Sequence, residues 1–164
     1  MVLILMGVVG AGKTTIGKLL AQKLGWQFAD ADEFHPKQNI DKIARGIPLT
    51  DSDRAPWLAA LHEAIEKWNA DGRNVVLACS ALKQSYRKEL QTGPARFVYL
   101  KGDYELISRR LHSRHGHFAT ESILKSQLAD LEEPQEAITV TVDKSPDEIV
   151  SEIIRQLKDA KGVS

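Results

Sequence analysis

The nine residues GVVGAGKTT, at positions 7–15, constrain this chain more than any other segment. They follow an apolar run at residues 2–6 that is typical of a buried strand, and they lead into an amphipathic segment at residues 14–24 that is typical of a helix. Their spacing matches G-x-x-x-x-G-K-[ST], a motif that binds phosphates. Its glycines let the backbone approach a phosphate closely, while the loop amides and the helix N-terminus supply positive potential. The segment therefore predicts a site for a nucleoside triphosphate.

The chemistry of the motif assigns a role to particular loop residues. Lys13 is expected to reach the β and γ phosphates of ATP, and the hydroxyl of Thr14 is expected to coordinate Mg²⁺. The predicted ATP contacts in the loop are Gly7, Val8, Val9, Gly10, Ala11, Gly12, Lys13, Thr14 and Thr15.

Two other interpretations of this loop compete with a triphosphate site. One is a glycine-rich turn that ends in Lys-Thr by coincidence, and the other is a dinucleotide-binding loop with Asp30 at the ribose. The glycines run G-x-x-G-x-G rather than G-x-G-x-x-G, and the pair Lys13–Thr14 has no role in a dinucleotide loop. The flanking strand and helix also favour the triphosphate.

Short apolar runs alternate with helix-length amphipathic segments along the rest of the chain. Predicted strands cover residues 2–6, 26–30, 74–79, 96–100 and 137–143. Predicted helices cover residues 14–24, 39–45, 53–69, 83–91, 104–113, 120–131 and 146–160. Strands buried on both faces and separated by helices predict an α/β fold, with a five-stranded parallel sheet between layers of helices.

The length and composition predict one domain, residues 1–164, with a hydrophobic content of 43% and no linker-like segment. The 22 basic and 22 acidic residues cancel, so no nucleic-acid or membrane partner is expected. The apolar N-terminus lacks a basic leader and reaches glycine too soon for an export signal, so we expect a cytoplasmic protein. A single cysteine, Cys79, excludes an internal disulfide, and it is expected to be buried.

Asp30 and Asp32 lie at the end of the second predicted strand, at the edge of a parallel sheet where ligands bind. In an extended chain, residues two apart point to the same side, so these carboxylates are expected to share a face. A solvated loop is the alternative, but the position at a strand end favours a role with a ligand.

Other segments restrict the class of nucleotide-binding protein. The chain has no N-K-x-D guanine motif, and its third strand ends in Cys79–Ser80 without the carboxylate common in motor ATPases. A small phosphotransferase remains. The basic segment at residues 108–118 is expected to form a cationic lid, with Arg110 and Arg114 on one side of a helix, although an exposed basic face is the alternative.

Three histidines in this segment, His112, His115 and His117, are expected to pack locally or contact phosphate rather than bind a metal. Trp57 and Trp68 lie at a helical spacing that is typical of core residues.

Several segments together resemble the gluconokinases, a family of P-loop small-molecule kinases. They are GVVGAGKTT, DADEFHPKQNIDKIARGIPLTDSDRAPWL, CSALKQSYRKEL, RHGHF and LEEP, and the resemblance extends to about Pro134. It implies a three-layer αβα P-loop NTPase fold with a five-stranded parallel sheet, an acceptor-binding segment at about 32–58 and a small helical lid at about 114–134. It further implies ATP-dependent phosphorylation of D-gluconate at its 6-hydroxyl, and often a homodimer.

The resemblance also implies roles for individual residues. Asp30 would hold Mg²⁺ through water and Asp32 would face the acceptor, although which of the two is the base stays open. The expected catalytic residues are these two aspartates, Lys13 and Arg114. Arg114 would lie near the transferring phosphate. Further ATP contacts are expected from Arg110, Arg114, Lys144 and Pro146. The expected substrate-binding residues are Asp32, His35, Asn39, Lys42, Arg54, Ser80, Lys83 and Arg87.

Arg54 is the first choice for the carboxylate of gluconate because a guanidinium binds a carboxylate through two hydrogen bonds. An ion pair with Asp51 or Asp53 is the alternative for this residue. Two alternative functions also stay open: a kinase of the same fold that acts on another small acid, such as shikimate, and a nucleotide-binding regulatory protein.

Overall fold

The computed structural model describes residues 1–114 and 118–162, with side chains at residues 1–112 and 121–160. Five parallel strands form one sheet in the order β2-β3-β1-β4-β5. The strands are β1 (Val2–Met6), β2 (Gln27–Asp30), β3 (Val75–Ala78), β4 (Arg96–Lys101) and β5 (Ile138–Thr141).

Helices connect the strands, as expected for a parallel sheet. They are α1 (Lys13–Leu24), α2 (Lys37–Ala44), α3 (Asp51–Ala70), α4 (Gln84–Leu90), α5 (Tyr104–Arg114), α6 (Phe118–Asp130) and α7 (Pro146–Gly162). Every predicted strand and helix is found, with ends that differ by no more than two residues. The prediction of an α/β fold with a five-stranded parallel sheet is confirmed. A short 3₁₀ helix, Ala31–Phe34, is an element that the hydrophobic pattern did not predict.

The central strand β1 is buried along its whole length, and its side chains alternate between the two faces of the sheet. Ile4 belongs to an apolar cluster with Leu61 of α3. Leu3 belongs to a second cluster on the opposite face, with Leu20 of α1 and Ile153 of α7. These two layers hold the sheet and fix the start of the loop that leaves β1. Within the described residues, no helix is long and apolar enough to cross a membrane.

The sheet register brings three strand ends together. Ala78 of β3 pairs with Leu5 of β1 on one side and with Asp30 of β2 on the other. The segments that follow these strands therefore start at the same edge of the sheet. A third apolar cluster, which includes Val8 and Leu124, packs α5 and α6 over this edge.

Candidate active site

The phosphate-binding loop joins β1 to α1 with a backbone that requires glycine. Gly10 and Gly12 have φ angles of 82° and 99°, in the left-handed region that other residues rarely adopt. At Gly10, a Cβ atom would also lie 2.9 Å from the side chain of Leu111 in α5. The loop conformation therefore depends on the glycine spacing of the motif.

Lys13 folds back onto the loop that precedes it. Its Nζ atom donates to the carbonyl oxygens of Gly7 and Val8, at 3.0 Å each. Burial lowers the pKa of Lys13, while the charge of Asp32 opposes this effect. A half-buried ammonium held by two carbonyls is placed to exchange these partners for phosphate oxygens.

Asp30 lies on strand β2 but Asp32 does not, so the expectation of one extended segment that carries both aspartates is wrong. Strand β2 ends at Asp30, and the chain turns at once into the 3₁₀ helix. The turn forms because the Oδ1 atom of Asp30 accepts a hydrogen bond from the backbone amide of Asp32, at 3.0 Å. Both residues nevertheless line one cavity beside the phosphate-binding loop.

The environment of Asp32 favours its protonated form more than water does. Desolvation by the surrounding protein raises its pKa, and the charge of Asp30 raises it further, while Lys13 opposes both effects. Asp32 is still open to solvent along the cavity. A carboxylate with a raised pKa is a stronger base, as general base catalysis requires.

Trp57 of α3 holds the turn that carries the two aspartates. Its Nε1 atom donates to the carbonyl oxygen of Ala31, between Asp30 and Asp32, at 2.7 Å. Its ring also stacks on His35, with a centroid separation of 4.4 Å and an interplanar angle of 12°. The predicted core residue Trp57 is indeed buried, and it lines the cavity as well.

A buried asparagine fixes the tautomer of His35. The Nδ2 atom of Asn39 donates to the carbonyl oxygen of Asp53 at 2.8 Å, so its amide orientation is set by an obligate acceptor. The same Nδ2 atom lies 3.2 Å from Nδ1 of His35, which must therefore accept. Burial, aided by the charge of Arg54, lowers the pKa of His35 to about 4. At neutral pH His35 is thus uncharged and carries its proton on Nε2.

Arg54 is buried, with 8% of its surface exposed, and its Nη1 atom donates to two partners. The phenol oxygen of Tyr86 lies at 2.9 Å and Oδ2 of Asp130, at the end of α6, lies at 3.2 Å. The alternative ion pairs considered from the sequence are not found, because Asp53 pairs with Lys42 and Asp51 with Lys83.

A capping box sets the start of α3 and hence the position of Arg54. The hydroxyl of Thr50 accepts from the amide of Asp53, and the carboxylate of Asp53 accepts from the amide of Thr50. Arg54 directly follows Asp53, the second residue of this capping box.

The cavity brings most of the predicted reactive residues together. The predicted residues in its wall are Val9, Gly10, Gly12, Lys13, Thr14, Thr15, Asp30, Asp32, His35, Arg54 and Ser80. It therefore connects the phosphate-binding loop to the segment that is expected to bind the acceptor. The other three loop residues, Gly7, Val8 and Ala11, are buried beneath this surface.

Four predicted substrate-binding residues lie outside the cavity wall, namely Asn39, Lys42, Lys83 and Arg87. Arg87 donates to the carbonyl oxygens of Ala81, Leu82 and Glu132 at 2.7, 3.0 and 2.7 Å. It thus holds the loop after β3 to the chain after α6. Direct contact of these four residues with an acceptor stays a prediction.

The expected adenine contacts lie near the end of β5. Arg110 of α5 donates to the carbonyl oxygen of Val142, Lys144 pairs with Glu152 at 2.9 Å, and Pro146 begins α7. The side chain of Arg114 lies outside the described side chains. Its role near the phosphate stays a prediction.

The predictions for the histidine cluster can be followed only at His112, since His115 and His117 lie outside the described residues. The Nδ1 atom of His112 contacts the carbonyl oxygen of Ser108 at 2.8 Å, which is a local contact within α5. In the described part of the chain, no three His, Cys, Asp or Glu residues form a metal cluster.

Sequence reasoning missed Gln127 of α6, whose Oε1 atom accepts from the backbone amide of Val9 at 2.7 Å. It also missed that Ser126 and Ile123 of the same helix line the cavity. No local signal identifies these residues, because the partner of Gln127 in the loop is more than a hundred positions away in the chain.

The fold and the site define a P-loop kinase of small molecules, with a phosphate-binding loop facing a pair of aspartates. A family profile described as shikimate kinase matches residues 9–158. A probable gluconokinase of Xenopus tropicalis is 46% identical, over 93% of this chain and 91% of that protein. A gluconokinase of Gluconobacter oxydans is 44% identical, over 95% of this chain and 90% of that protein. The chain belongs to the gluconokinase family, within the P-loop kinases related to shikimate kinase.

A solved structure agrees with this assignment. The crystal structure of a gluconokinase from Sinorhizobium meliloti superposes with a TM-score of 0.86, at 40% identity. The alignment covers 99% of this chain and 96% of that one. The resemblance seen in the sequence motifs is therefore confirmed.

Proposed function

We propose that this protein transfers the γ-phosphate of ATP to the 6-hydroxyl of D-gluconate, which gives 6-phospho-D-gluconate and ADP. The observation that carries the proposal is the single cavity that joins the phosphate-binding loop, the Asp30–Asp32 turn and Arg54. Such a cavity accepts a triphosphate at one end and a small anionic acceptor at the other.

The donor end binds the phosphates of ATP. Lys13 leaves the carbonyl oxygens of Gly7 and Val8 and neutralises charge on the β and γ phosphates. We assign Mg²⁺ to the hydroxyl of Thr14 and, through water, to Asp30, since hard oxygen donors suit this ion. Both side chains line the cavity beside Lys13, so the donor set fits. When bound, the ion supplies further positive charge to the phosphates.

The acceptor end supplies a base and a cation. Asp32 has the raised pKa, and we assign it the proton of the 6-hydroxyl as the oxygen attacks phosphorus. The Nη1 hydrogens of Arg54 are used by Tyr86 and Asp130, whereas Nε and Nη2 make no hydrogen bond to the described residues. That edge of the guanidinium matches a carboxylate through two parallel hydrogen bonds. The Nε2 atom of His35 donates a hydrogen bond to a hydroxyl oxygen along the chain of gluconate.

Several finer assignments belong to the same proposal. One kinase domain, residues 1–164, would have its acceptor-binding segment at about 32–58 and its lid at about 114–134. Arg110, Lys144 and Pro146 would contact adenine, and Arg114 the transferring phosphate. A homodimer is expected from the family, and light scattering of the purified protein measures it. The cytoplasmic location stays a prediction.

The experiment is ADP release from the purified protein with ATP and Mg²⁺, compared across acceptors. D-gluconate should stimulate release strongly, whereas shikimate, glucose, nucleoside monophosphates and no acceptor should not. Because the shikimate kinase profile matches most of the chain, shikimate is the second candidate acceptor. Stimulation by shikimate alone would replace gluconate, and no stimulation by any acceptor would favour a regulatory protein.

A further inference from the structure

Helix α6 contacts both ends of the cavity through one face. Gln127 and Asp130 are three residues apart, so their side chains lie on the same side of the helix. Gln127 accepts from the backbone of the phosphate-binding loop, and Asp130 accepts from the guanidinium of Arg54. A single helical turn therefore joins the donor loop to the cation at the acceptor end.

The contact at Gln127 fixes the orientation of its amide group. The backbone amide of Val9 is a donor, so the atom that faces it at 2.7 Å must be the carbonyl oxygen of Gln127. The Nε2 group of the same side chain retains hydrogens that can be donated to an anion. Because both Gln127 and Val9 line the cavity, this side chain orders the loop at the place where phosphate oxygens bind.

The contact at Asp130 fixes the orientation of Arg54. An arginine Nη1 atom has two hydrogens, and Asp130 and Tyr86 take one each. The guanidinium is planar, so holding Nη1 in this way also sets the direction of its Nε and Nη2 edge. Tyr86 is itself fixed, because its hydroxyl donates to Asp51.

Helix α6 is anchored to the rest of the protein on both sides of Gln127 and Asp130. Leu124 of α6 is fully buried in the apolar cluster that contains Val8 of the loop and Ile107 of α5. The chain after α6 is held as well, since the carbonyl oxygen of Glu132 accepts from Arg87 at 2.7 Å. The segment that carries Gln127 and Asp130 is thus held by Leu124 before it and by Glu132 after it.

We propose that Gln127 and Asp130 are positioning residues that align the two substrates: Gln127 orders the phosphate-binding loop, and Asp130 orients Arg54 toward the carboxylate of the acceptor. This inference rests on the proposed function for the identity of the acceptor. It assigns different kinetic roles to two residues of one helix. Gln127 acts on the donor and on the rate of transfer, and Asp130 acts on the binding of the acceptor.

The test compares four variants with the unmodified protein. Asp130→Ala removes the acceptor of the Arg54 hydrogen bond, and Asp130→Asn keeps an oxygen at that position. Gln127→Leu removes the bond to Val9 at similar size. Lys125→Ala is the matched control, because Lys125 is exposed on the same helix. The measurements are kcat, KM for ATP, KM for D-gluconate and the melting temperature of each variant.

Asp130→Ala should raise KM for D-gluconate by about tenfold, the loss expected for one charged hydrogen bond, with KM for ATP within about twofold. Asp130→Asn should restore most of this loss. Gln127→Leu should lower kcat by about tenfold and leave KM for gluconate within about twofold. The Lys125→Ala control should match the unmodified protein in all four quantities.

Three results would overturn the proposal. A lower KM for gluconate in Asp130→Ala would mean that Asp130 competes with the acceptor for Arg54. Equal changes in both KM values, without rescue by Asp130→Asn, would indicate a purely structural role. An unchanged kcat in Gln127→Leu would remove Gln127 from the alignment.

A failure of the proposed function can be distinguished from a failure of the proposal for Gln127 and Asp130. It would appear as no gluconate-stimulated ADP release from the unmodified protein, whatever the variants do. In that case the proposal is judged by calorimetry with a non-hydrolysable ATP analogue. Gln127→Leu should then weaken binding at least about threefold relative to Lys125→Ala, because the loop has lost a hydrogen bond. Equal affinities would overturn it.

Discussion

Replacing Trp57 by phenylalanine tests how the fold holds Asp30 and Asp32, the two aspartates proposed to take part in catalysis. The substitution removes the Nε1 donor that binds the carbonyl oxygen of Ala31, at 2.7 Å. Trp57 is 2% exposed and Ala31 is 1% exposed, so water cannot easily take the place of the lost donor. An unpaired buried carbonyl costs about 2 kcal/mol. The smaller ring adds about 1 kcal/mol for the space that it leaves.

The expected loss in the free energy of unfolding is therefore about 3 kcal/mol, a large part of the stability of an ordinary domain. Urea denaturation followed by far-UV circular dichroism measures it, since fluorescence would change with the removal of a tryptophan. Trp68→Phe is the matched control. Trp68 lies on the same helix, is only half-buried, and makes an edge contact with Phe34. It should lose about 1 kcal/mol or less.

The same substitution should also affect catalysis. Ala31 lies between Asp30 and Asp32, so a shifted carbonyl moves both carboxylates relative to the phosphate. A displacement of about 1 Å lowers kcat by about a hundredfold. If Trp57→Phe loses no more stability than Trp68→Phe and keeps its kcat, the hydrogen bond to Ala31 does not hold the turn.

Three further predictions concern the ionisable residues of the cavity. Lys13→Ala should nearly abolish transfer while the melting temperature changes little, and substantial activity in a folded variant would contradict its role at the phosphates. Arg54→Ala should raise KM for gluconate far more than KM for ATP, whereas equal increases would indicate a structural role. His35 has a folded pKa of about 4, below its ordinary 6.5, so its contribution to stability is complete above pH 6.5 and is lost as the pH falls toward 4. His35→Gln should flatten this pH dependence of the unfolding free energy, and an unchanged slope would refute the burial of a neutral ring.

The phosphate-binding loop could be predicted from the sequence because the residues that determine it are close together in the chain. The loop, its glycines and Lys13 lie within nine consecutive residues, and the flanking strand and helix show the expected periodicities. The positions of the strands and helices were predictable for the same reason. Hydrophobic periodicity reports burial, and burial is what places each element against the sheet.

The geometry of the acceptor end depends on contacts between distant residues. The turn at Asp30 and Asp32 is held by Trp57, whose partner is 26 positions away. The ion partner of Arg54 is 76 positions away in α6, whereas the alternative partners considered from the sequence, Asp51 and Asp53, are its close neighbours in the chain. Only the folded chain brings these groups together.

Identification of the reaction product is the decisive test of gluconate phosphorylation by this protein. The purified protein is incubated with ATP, Mg²⁺ and D-gluconate, and the mixture is examined by ³¹P and ¹H nuclear magnetic resonance. We expect one ADP for each phosphorylated acid, with the phosphate on the 6-hydroxyl. Inorganic phosphate without a phosphorylated acid, or phosphate on a different hydroxyl, would contradict the assignment of gluconate to the cavity between Asp32 and Arg54.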